Sequence, residues 1–328
     1  MSMSPKAATT ATTNLGNVLP NEILHAIFDH LPQPALTCIV LVSHRWRANA
    51  ERLLYSSIVI NEVLPSSSIM ELKGVHSMPA VPTVTLRCCE TLSSYPHLAE
   101  YVRRFHVRWQ TDAVESPALL LLIAQNIAKS LVPTFRHLDS LELSFGLASY
   151  LVPALVVAPR IPAAFLPPFR LPDLRSLALH GIGEPPEPVL RNHPALLHLK
   201  LADYPRPLRL LPTDVPRLRS FRGHPATAAS VLPGRPVEAL GLVGLDPATE
   251  ADLARIAAGS RVRSLDLSGA SVTPTVLRSV SRHLSHVEWL KVRLALRHTL
   301  HYALSGIVRS LSPFLQRRIR GCAKFIDK

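Results

Sequence analysis

Histidine and cysteine are the residues of this sequence best suited to hold a metal or to attack a substrate. Histidine occurs 15 times, and the pairs His283/His286 and His298/His301 each have an i, i+3 spacing, which places both rings on one face of a helix. Neither pair has a third ligand at a matching spacing, and the sequence has no HExxH or CxxC motif. We therefore predict surface histidines and no metal site.

The sequence also lacks a recognisable nucleophile motif and a recognisable nucleotide-binding loop. Cys88 and Cys89 would need a nearby base to act as nucleophiles, and small buried thiols are the commoner case. The segment GIGEPP at Gly181 lacks the third glycine of a dinucleotide loop, and GxxxxGK[ST] and GxSxG do not occur. The sequence predicts neither an enzyme nor a cofactor.

Residues 18–60 have the pattern of three short helices. Pro32 ends the first helix, Pro34 can start a second, and Ser43 is a candidate N-cap for the third. The apolar stripe of the first helix consists of Ile23, Leu24, Ile27, Phe28 and Leu31, and that of the third consists of Trp46, Ala50 and Leu53. A unit of about 40 residues buries little apolar surface, so we expect it to bind a partner or to pack on the following chain.

This segment resembles an F-box, a helical module that docks onto a Skp-type adaptor of a ubiquitin ligase. The matching positions are Leu19, Pro20, Glu22, Ile23, Leu24, Ile27, Phe28, Leu31, Leu36, Val42, Trp46 and Ala50. The resemblance implies that the adaptor is contacted by Leu19, Pro20, Ile23, Leu24, Ile27 and Leu36. The alternative is an ordinary helical subdomain in which this spacing is accidental.

An apolar L-x-x-L-x-L pattern recurs seven or eight times after the helical module, beginning at residues 102, 138, 174, 196, 218, 237, 262 and 287, and it is weaker at 102, 218, 237 and 287. Such a pattern is typical of repeats with one strand each, which usually take 20 to 29 residues. The two gaps of 36 residues contain a predicted helix at 118–131 and a proline-broken apolar run at 147–169. The return segments at 248–257 and 274–284 are predicted to be helical. Core strands of another kind of α/β domain are the alternative.

Together the two patterns resemble the F-box/leucine-rich-repeat proteins. The resemblance implies an α/β fold in which a short all-helical F-box precedes a leucine-rich-repeat-like solenoid, or horseshoe, with irregular insertions. The predicted domains are a disordered lead-in at 1–17, the helical module at 18–60, the solenoid at 61–304 and a basic cap or tail at 305–328.

Side chains between the ladder leucines are expected on the opposite face of the strands, because strand residues alternate. We predict this face to bind the target through Arg104, Arg108, His180, Lys200, Arg222, Asp266, Trp289, Lys291 and Arg293. Trp289 is the expected anchor, since aromatic side chains dominate binding hot spots. The net charge of +13 lies entirely in residues 146–328, which should attract an acidic partner; a solvated basic surface without a binding role is the alternative.

The resemblance implies a substrate adaptor without enzymatic activity, which binds a Skp subunit, through it a cullin, and a target protein. A repeat scaffold outside any ligase and a basic nucleic-acid-binding protein are the alternatives. Scattered basic residues and only 5% aromatics argue against nucleic acid. The apolar stretches are too short or too rich in proline to span a membrane, and the first seventeen residues lack the apolar core of a signal peptide. We therefore expect a cytoplasmic or nuclear protein with reduced cysteines.

Overall fold

The computed structural model describes residues 19–64, 81–111, 117–145, 170–180, 186–202, 204–244 and 248–293. The predictions for the lead-in at 1–17, the apolar run at 147–169, the pair His298/His301 and the tail at 305–328 lie outside these residues. The boundary between two compact units of the chain falls between Ser57 and Ile58.

The first unit consists of three helices, as predicted: α1 Asn21–Asp29, α2 Gln33–Ile39 and α3 His44–Ser56. Pro20 precedes α1, and the Ser43 hydroxyl accepts a hydrogen bond from the Trp46 amide, which makes Ser43 the N-cap of α3. The core of the unit is formed by Leu24, Phe28, Leu36 and Ala50. The rings of Phe28 and Trp46 meet edge to face at 5.5 Å and join α1 to α3.

The second unit is built on a nine-stranded sheet. Its strands are β1 Ser57–Leu64, β2 Arg104–Thr111, β3 Ser140–Ser144, β4 Ser176–His180, β5 His198–Leu201, β6 Ser220–Gly223, β7 Ala239–Gly244, β8 Ser264–Ala270 and β9 Trp289–Lys291. Their order in the sheet is their order along the chain, and each pair from β2 to β9 is parallel. All eight strands predicted from the repeated pattern are present. Strand β1 was not predicted and begins within the range given to the helical module.

Each connection between parallel strands must bring the chain back to the end of the sheet where the preceding strand began. Most of these connections contain a helix. The helices of this unit are α4 Thr83–Ser94, α5 Pro96–Ala99, α6 Pro117–Asn126, α7 Glu187–Arg191, α8 Pro225–Val231, α9 Glu250–Gly259 and α10 Pro274–His283. A π-helical turn and a 3₁₀ turn extend α6 from Ile127 to Thr134. The helices predicted at 118–131, 248–257 and 274–284 are thereby confirmed.

The ladder residues form the core of the sheet unit. Successive strands align them in register, so that each layer of the core is a row of apolar side chains from neighbouring strands. One buried row contains Phe105, Leu141, Leu177, Leu199, Phe221, Leu240 and Leu265. Burying each such side chain stabilises the fold by roughly 1.5–3 kcal/mol. The predicted inward orientation of the ladder is therefore confirmed.

Helix α4 is fixed to the sheet by a short chain of hydrogen bonds. The Glu62 carboxylate on β1 accepts hydrogen bonds from the backbone amides of Val84 and Thr85, at 3.0 and 3.1 Å. It thereby caps the first turn of the helix and complements its dipole. The buried Thr85 hydroxyl donates to the same carboxylate and accepts from Trp109 Nε1 on β2, both at 2.9 Å. Within the described ranges, no helix is both long and apolar enough to cross a bilayer.

Candidate functional site

The polar face of the sheet is the surface opposite the buried ladder, and its side chains lie in rows across neighbouring strands. The central row consists of His106, Glu142, Ala178, Lys200, Arg222, Gly241, Asp266 and Lys291. The row that precedes it consists of Arg104, Ser140, Ser176, His198, Ser220, Ala239, Ser264 and Trp289. The predicted target-binding positions that lie on strands thus share one face, with Arg108 and His180 in a third, shorter row, whereas Arg293 lies beyond the end of β9.

Glu142 gathers three basic side chains on this face. Arg108 donates to both carboxylate oxygens, at 2.9 and 2.6 Å, and Lys200 Nζ lies 3.6 Å from Oε1. His106 Nδ1 lies 3.7 Å from Oε2. Burial alone would raise the pKa of Glu142, but the hydrogen bond from Arg108 and the charges of Lys200 and Arg108 outweigh burial and lower it. Burial lowers the pKa of His106, so this ring adds little positive charge at neutral pH. Glu142 is therefore an ionised carboxylate within a basic cluster.

Asp266 organises a second basic cluster on β8. Arg222 Nη1 donates to Oδ2 at 3.2 Å, and Lys291 Nζ lies 3.8 Å from the same oxygen. The backbone amide of Ser268 donates to Oδ1 at 2.8 Å. Partial burial opposes ionisation, yet these hydrogen bonds and the charges of Arg222 and Lys291 lower the pKa of Asp266.

Each of the two clusters contains an ion pair that spans two strands across a small residue. Lys200 reaches Glu142 over Ala178, and Arg222 reaches Asp266 over Gly241. Neighbouring strands are about 4.8 Å apart, and these ion pairs span two such spacings. They therefore need a long cationic side chain and a small residue on the strand between. A Cβ on Gly241 would lie 2.9 Å from Arg222 Cγ, which shows how closely the arginine stem crosses that strand.

The structure thus unites some of the predicted target-binding residues and leaves others apart. Arg108 and Lys200 meet at Glu142, whereas Arg222 and Lys291 meet at Asp266. Outside these clusters lie Arg104, His180, Trp289 and Arg293, of which Trp289 is 54% exposed. Glu142 lies on the strand face predicted for recognition but was not singled out as a target contact. Its register partners are His106 on β2 and Ala178 on β4, so Arg108 reaches it diagonally and Lys200 reaches it across one strand, which the sequence of β3 alone does not indicate.

The helical unit exposes apolar side chains that its own core does not use. Ile23 and Ile27 lie one turn apart on α1 and are each 47% exposed, and Leu41 and Val42 are exposed in the turn that follows α2. Pro20 is exposed and Leu19 is half-buried. Exposed apolar groups that recur on one helix face are typical of a binding surface.

The predicted direct contacts of Leu24 and Leu36 require correction. Both side chains are buried in the core of the helical unit, Leu24 on the inner side of α1 and Leu36 on α2. They support the outer surface and do not form it. The start of α1 is held by Arg45, which donates from Nε to Asn21 Oδ1 at 2.8 Å and from Nη2 to the carbonyl oxygen of Leu19.

Cys88 and Cys89, which were considered as nucleophiles, lie where burial suppresses thiol ionisation. Burial raises the pKa of Cys88 to about 11 and that of Cys89 to about 12, so both thiols on α4 stay protonated at neutral pH. The ring of His193 is buried between the Val189 carbonyl and the Leu171 amide, and burial lowers its pKa. Among the described residues, no three of the histidine, cysteine, aspartate and glutamate side chains are grouped to hold a metal ion.

Residues 17–61 match the family model described as F-box-like. The chain contains an F-box-like domain. This domain covers the three helices and the beginning of β1, and it confirms the family resemblance of the N-terminal segment. The F-box protein DAS1 of Saccharomyces cerevisiae is 28% identical to this chain over 131 residues, which are 34% of this chain and 19% of that protein. The similarity to this curated relative therefore spans about a fifth of its length.

Proposed function

We propose that this protein is the substrate-recognition adaptor of an SCF-type ubiquitin ligase. The observation that carries the proposal is an F-box-like domain whose first helix turns Ile23 and Ile27 outward while its own core is complete without them. A Skp-type adaptor with an apolar groove would cover these side chains and, through a cullin, join the chain to the ligase. Leu19 and Pro20 lie beside this helix and are part of the proposed contact.

The sheet unit is proposed to hold the target protein, as a leucine-rich-repeat-like solenoid. The support is its construction from eight parallel strands in chain order, of which β2 to β8 bury an apolar ladder and carry polar side chains on the opposite face. Repeats of this kind commonly use their strand face for binding. Arg104, Arg108, Lys200, Arg222 and Trp289 are candidate contacts, together with His180, Asp266, Lys291 and Arg293.

In this role the chain contributes proximity and no covalent chemistry. A target held beside an activated ubiquitin reacts in an effectively local encounter, which by itself accelerates the transfer. The raised pKa of Cys88 and Cys89 fits a chain that forms no thioester of its own. The proposal also implies residence in the cytosol or nucleus.

Binding of the full chain to a purified Skp-type adaptor tests the proposal. The double variant Ile23→Glu/Ile27→Glu places charges on the outer face of α1 and should weaken binding by at least tenfold. Leu122→Glu/Leu211→Glu is a matched control, because these leucines are equally exposed but lie in the sheet unit. Circular dichroism verifies that both variants are folded. Equal binding by wild type and the Ile23/Ile27 variant would overturn the proposed contact.

A further inference from the structure

Three polar side chains join α1 to α3 at the end of the helical unit where α1 begins. Asn21, the first residue of α1, accepts hydrogen bonds at Oδ1 from Arg45 Nε at 2.8 Å and from Asn49 Nδ2 at 3.4 Å. Asn49 Nδ2 also donates to the carbonyl oxygen of Arg45 at 2.9 Å. Since Asn49 is only 6% exposed, these contacts lie inside the unit. They fix the first residue of α1 against the first two turns of α3.

Arg45 extends this network to the residue that precedes Pro20. Its Nη2 donates to the carbonyl oxygen of Leu19, while Nε of the same guanidinium donates to Asn21. One rigid guanidinium fork therefore holds the residues on both sides of Pro20. Pro20 cannot do this itself, because it has no backbone N–H and, as the N-cap of α1, no polar side chain to cap the first turn.

The proposed adaptor contact thus contains two parts that are held in different ways. Ile23 and Ile27 lie within α1, so the backbone hydrogen bonds of the helix set their direction. Leu19 is half-buried and packs partly against the core of the unit, whereas Pro20 is exposed. Because the proline ring is rigid, the direction in which Pro20 is presented depends on the backbone of its two neighbours.

We propose that Arg45 is a positioning residue, which fixes Leu19 and Pro20 in the conformation that the Skp-type adaptor binds. A backbone residue that is already ordered in the unbound chain does not have to be ordered during binding. For one residue this advantage corresponds to about tenfold in affinity. The identity of the partner rests on the proposed function, but the ordering of Leu19 in the unbound chain does not.

The unbound chain tests the ordering without any adaptor. Methyl order parameters of Leu19 and Leu36 are measured by NMR in the wild type and in Arg45→Met, which keeps an apolar stem but has no donor. The Leu19 value should fall by about 30%, as between a rigid and a flexible segment, while Leu36 in the core keeps its value. An unchanged Leu19, or equal declines at both leucines from a general loosening of the unit, would overturn the proposal.

Titration of the full chain with a purified Skp-type adaptor tests the consequence for binding. Arg45→Met should weaken binding about tenfold. Arg45→Lys keeps the charge but cannot reproduce the fork, so an intermediate loss of about threefold is expected, and this variant carries the test if Arg45→Met fails to fold. Arg47→Met is the control, because Arg47 is an exposed arginine of the same helix that pairs with Glu51; its binding should stay within about twofold of the wild type.

A double-mutant cycle separates positioning from direct contact. In the Leu19→Ala/Pro20→Ala chain, Arg45→Met should weaken binding by less than about twofold, because the side chains through which Arg45 acts are absent. In the Ile27→Ala chain the loss should remain about tenfold. A tenfold loss in both chains would show that Arg45 acts independently of Leu19 and Pro20, and would overturn the positioning role.

The two measurements also separate this role from the proposed function. If the wild-type chain does not bind the adaptor, the ligase role is refuted and with it the positioning of Leu19 and Pro20 for this partner. If the wild type binds and Arg45→Met binds equally well, the positioning role alone is refuted.

Discussion

Arg108 and Glu142 lie diagonally across β2 and β3 and are joined by two parallel hydrogen bonds, Nε to Oε1 and Nη2 to Oε2. The carboxylate side chain is only 10% exposed, whereas the guanidinium is 42% exposed. The pair therefore consists of a mostly buried acid covered by a half-exposed base. Removal of the base leaves a charge in a poorly solvated position, which is costly even where the intact pair is only modestly stabilising.

We expect Arg108→Ala to lower the free energy of unfolding by about 2 kcal/mol, because Glu142 loses both hydrogen bonds. Arg103→Ala is the matched control, because Arg103 directly precedes β2, the strand that carries Arg108. The side chain of its partner Asp139 is 40% exposed and lies 3.6 Å away, so the loss should stay below about 1 kcal/mol. Urea denaturation of both variants measures the difference. Equal effects would show that burial of Glu142 does not decide the strength of the pair.

Acidification should destabilise the sheet unit. The pKa values of Glu142 and Asp266 are lower in the folded chain than in the unfolded chain. Their contribution to stability is therefore complete above the unfolded values of about 4 and is lost as pH falls through the folded values. Thermal melting between pH 7 and pH 3 should show this decline. Glu142→Gln/Asp266→Asn should flatten it, and an unchanged slope would contradict the role of these two groups.

Arg235 should be among the most sensitive positions of the sheet unit. Its buried guanidinium donates to the carbonyl oxygens of Leu211, Asp214 and Val231 and so fixes the loop that precedes β6. This loop contains Val215 with φ 45°, an unfavourable value for a β-branched residue. Arg235→Met leaves these three carbonyl oxygens without the guanidinium donor and should lower the free energy of unfolding by about 2–3 kcal/mol.

The measurement for Arg235→Met is chemical denaturation beside Arg217→Met. Arg217 is exposed and lies in the same part of the chain, so its replacement should change the free energy of unfolding by less than about 0.5 kcal/mol. If both variants have wild-type stability, the carbonyl contacts of Arg235 contribute nothing to the fold.

Leu24→Ala and Ile27→Ala should separate packing from docking on α1. Leu24 is buried, so its truncation leaves a cavity and should lower the stability of the helical unit by about 2–5 kcal/mol. Ile27 is half-exposed, and its truncation should change stability by less than about 1 kcal/mol while weakening adaptor binding. Amide hydrogen exchange of α1 to α3 reports stability. Similar protection from exchange in both variants would contradict the assignment of Leu24 to packing and Ile27 to docking.

Gly241→Val tests whether Arg222 needs a small residue beneath it. The new side chain would collide with the Arg222 stem and move its guanidinium away from Asp266. Since Arg222 helps to lower the pKa of Asp266, that pKa should rise in the variant. Titration of the Asp266 carboxyl carbon by NMR provides the value. A pKa identical to that of the wild type would show that the arginine reaches Asp266 by another path.

The repeated pattern predicted the sheet well because its cause is local. Each L-x-x-L-x-L segment has the alternation of a half-buried strand, and its recurrence aligns Leu141 with Leu177 and Leu199 in one core row. Strand β1 escaped prediction because it lies outside the pattern. Its position depends on Glu62 and on contacts with α4 that are distant in sequence.

The two proposed binding surfaces were predictable as faces but not as sets of contacting residues. Alternation placed Lys200, Arg222 and Asp266 on one side of the sheet, whereas the ion pairs across Ala178 and Gly241 depend on strand register, which no single segment specifies. In the helical unit the apolar stripe includes both inner and outer residues. Its spacing therefore could not separate buried Leu24 from exposed Ile27.

Isothermal titration of the purified full chain with a purified Skp-type adaptor tests the proposed docking most directly. Burial of Ile23 and Ile27 in an apolar groove predicts a saturable one-to-one complex with a negative heat-capacity change. The Ile23→Glu/Ile27→Glu variant should give at least tenfold weaker binding, and Leu122→Glu/Leu211→Glu should match the wild type. Absence of binding by the folded wild-type chain would contradict the assignment of an adaptor-docking surface to the F-box-like domain.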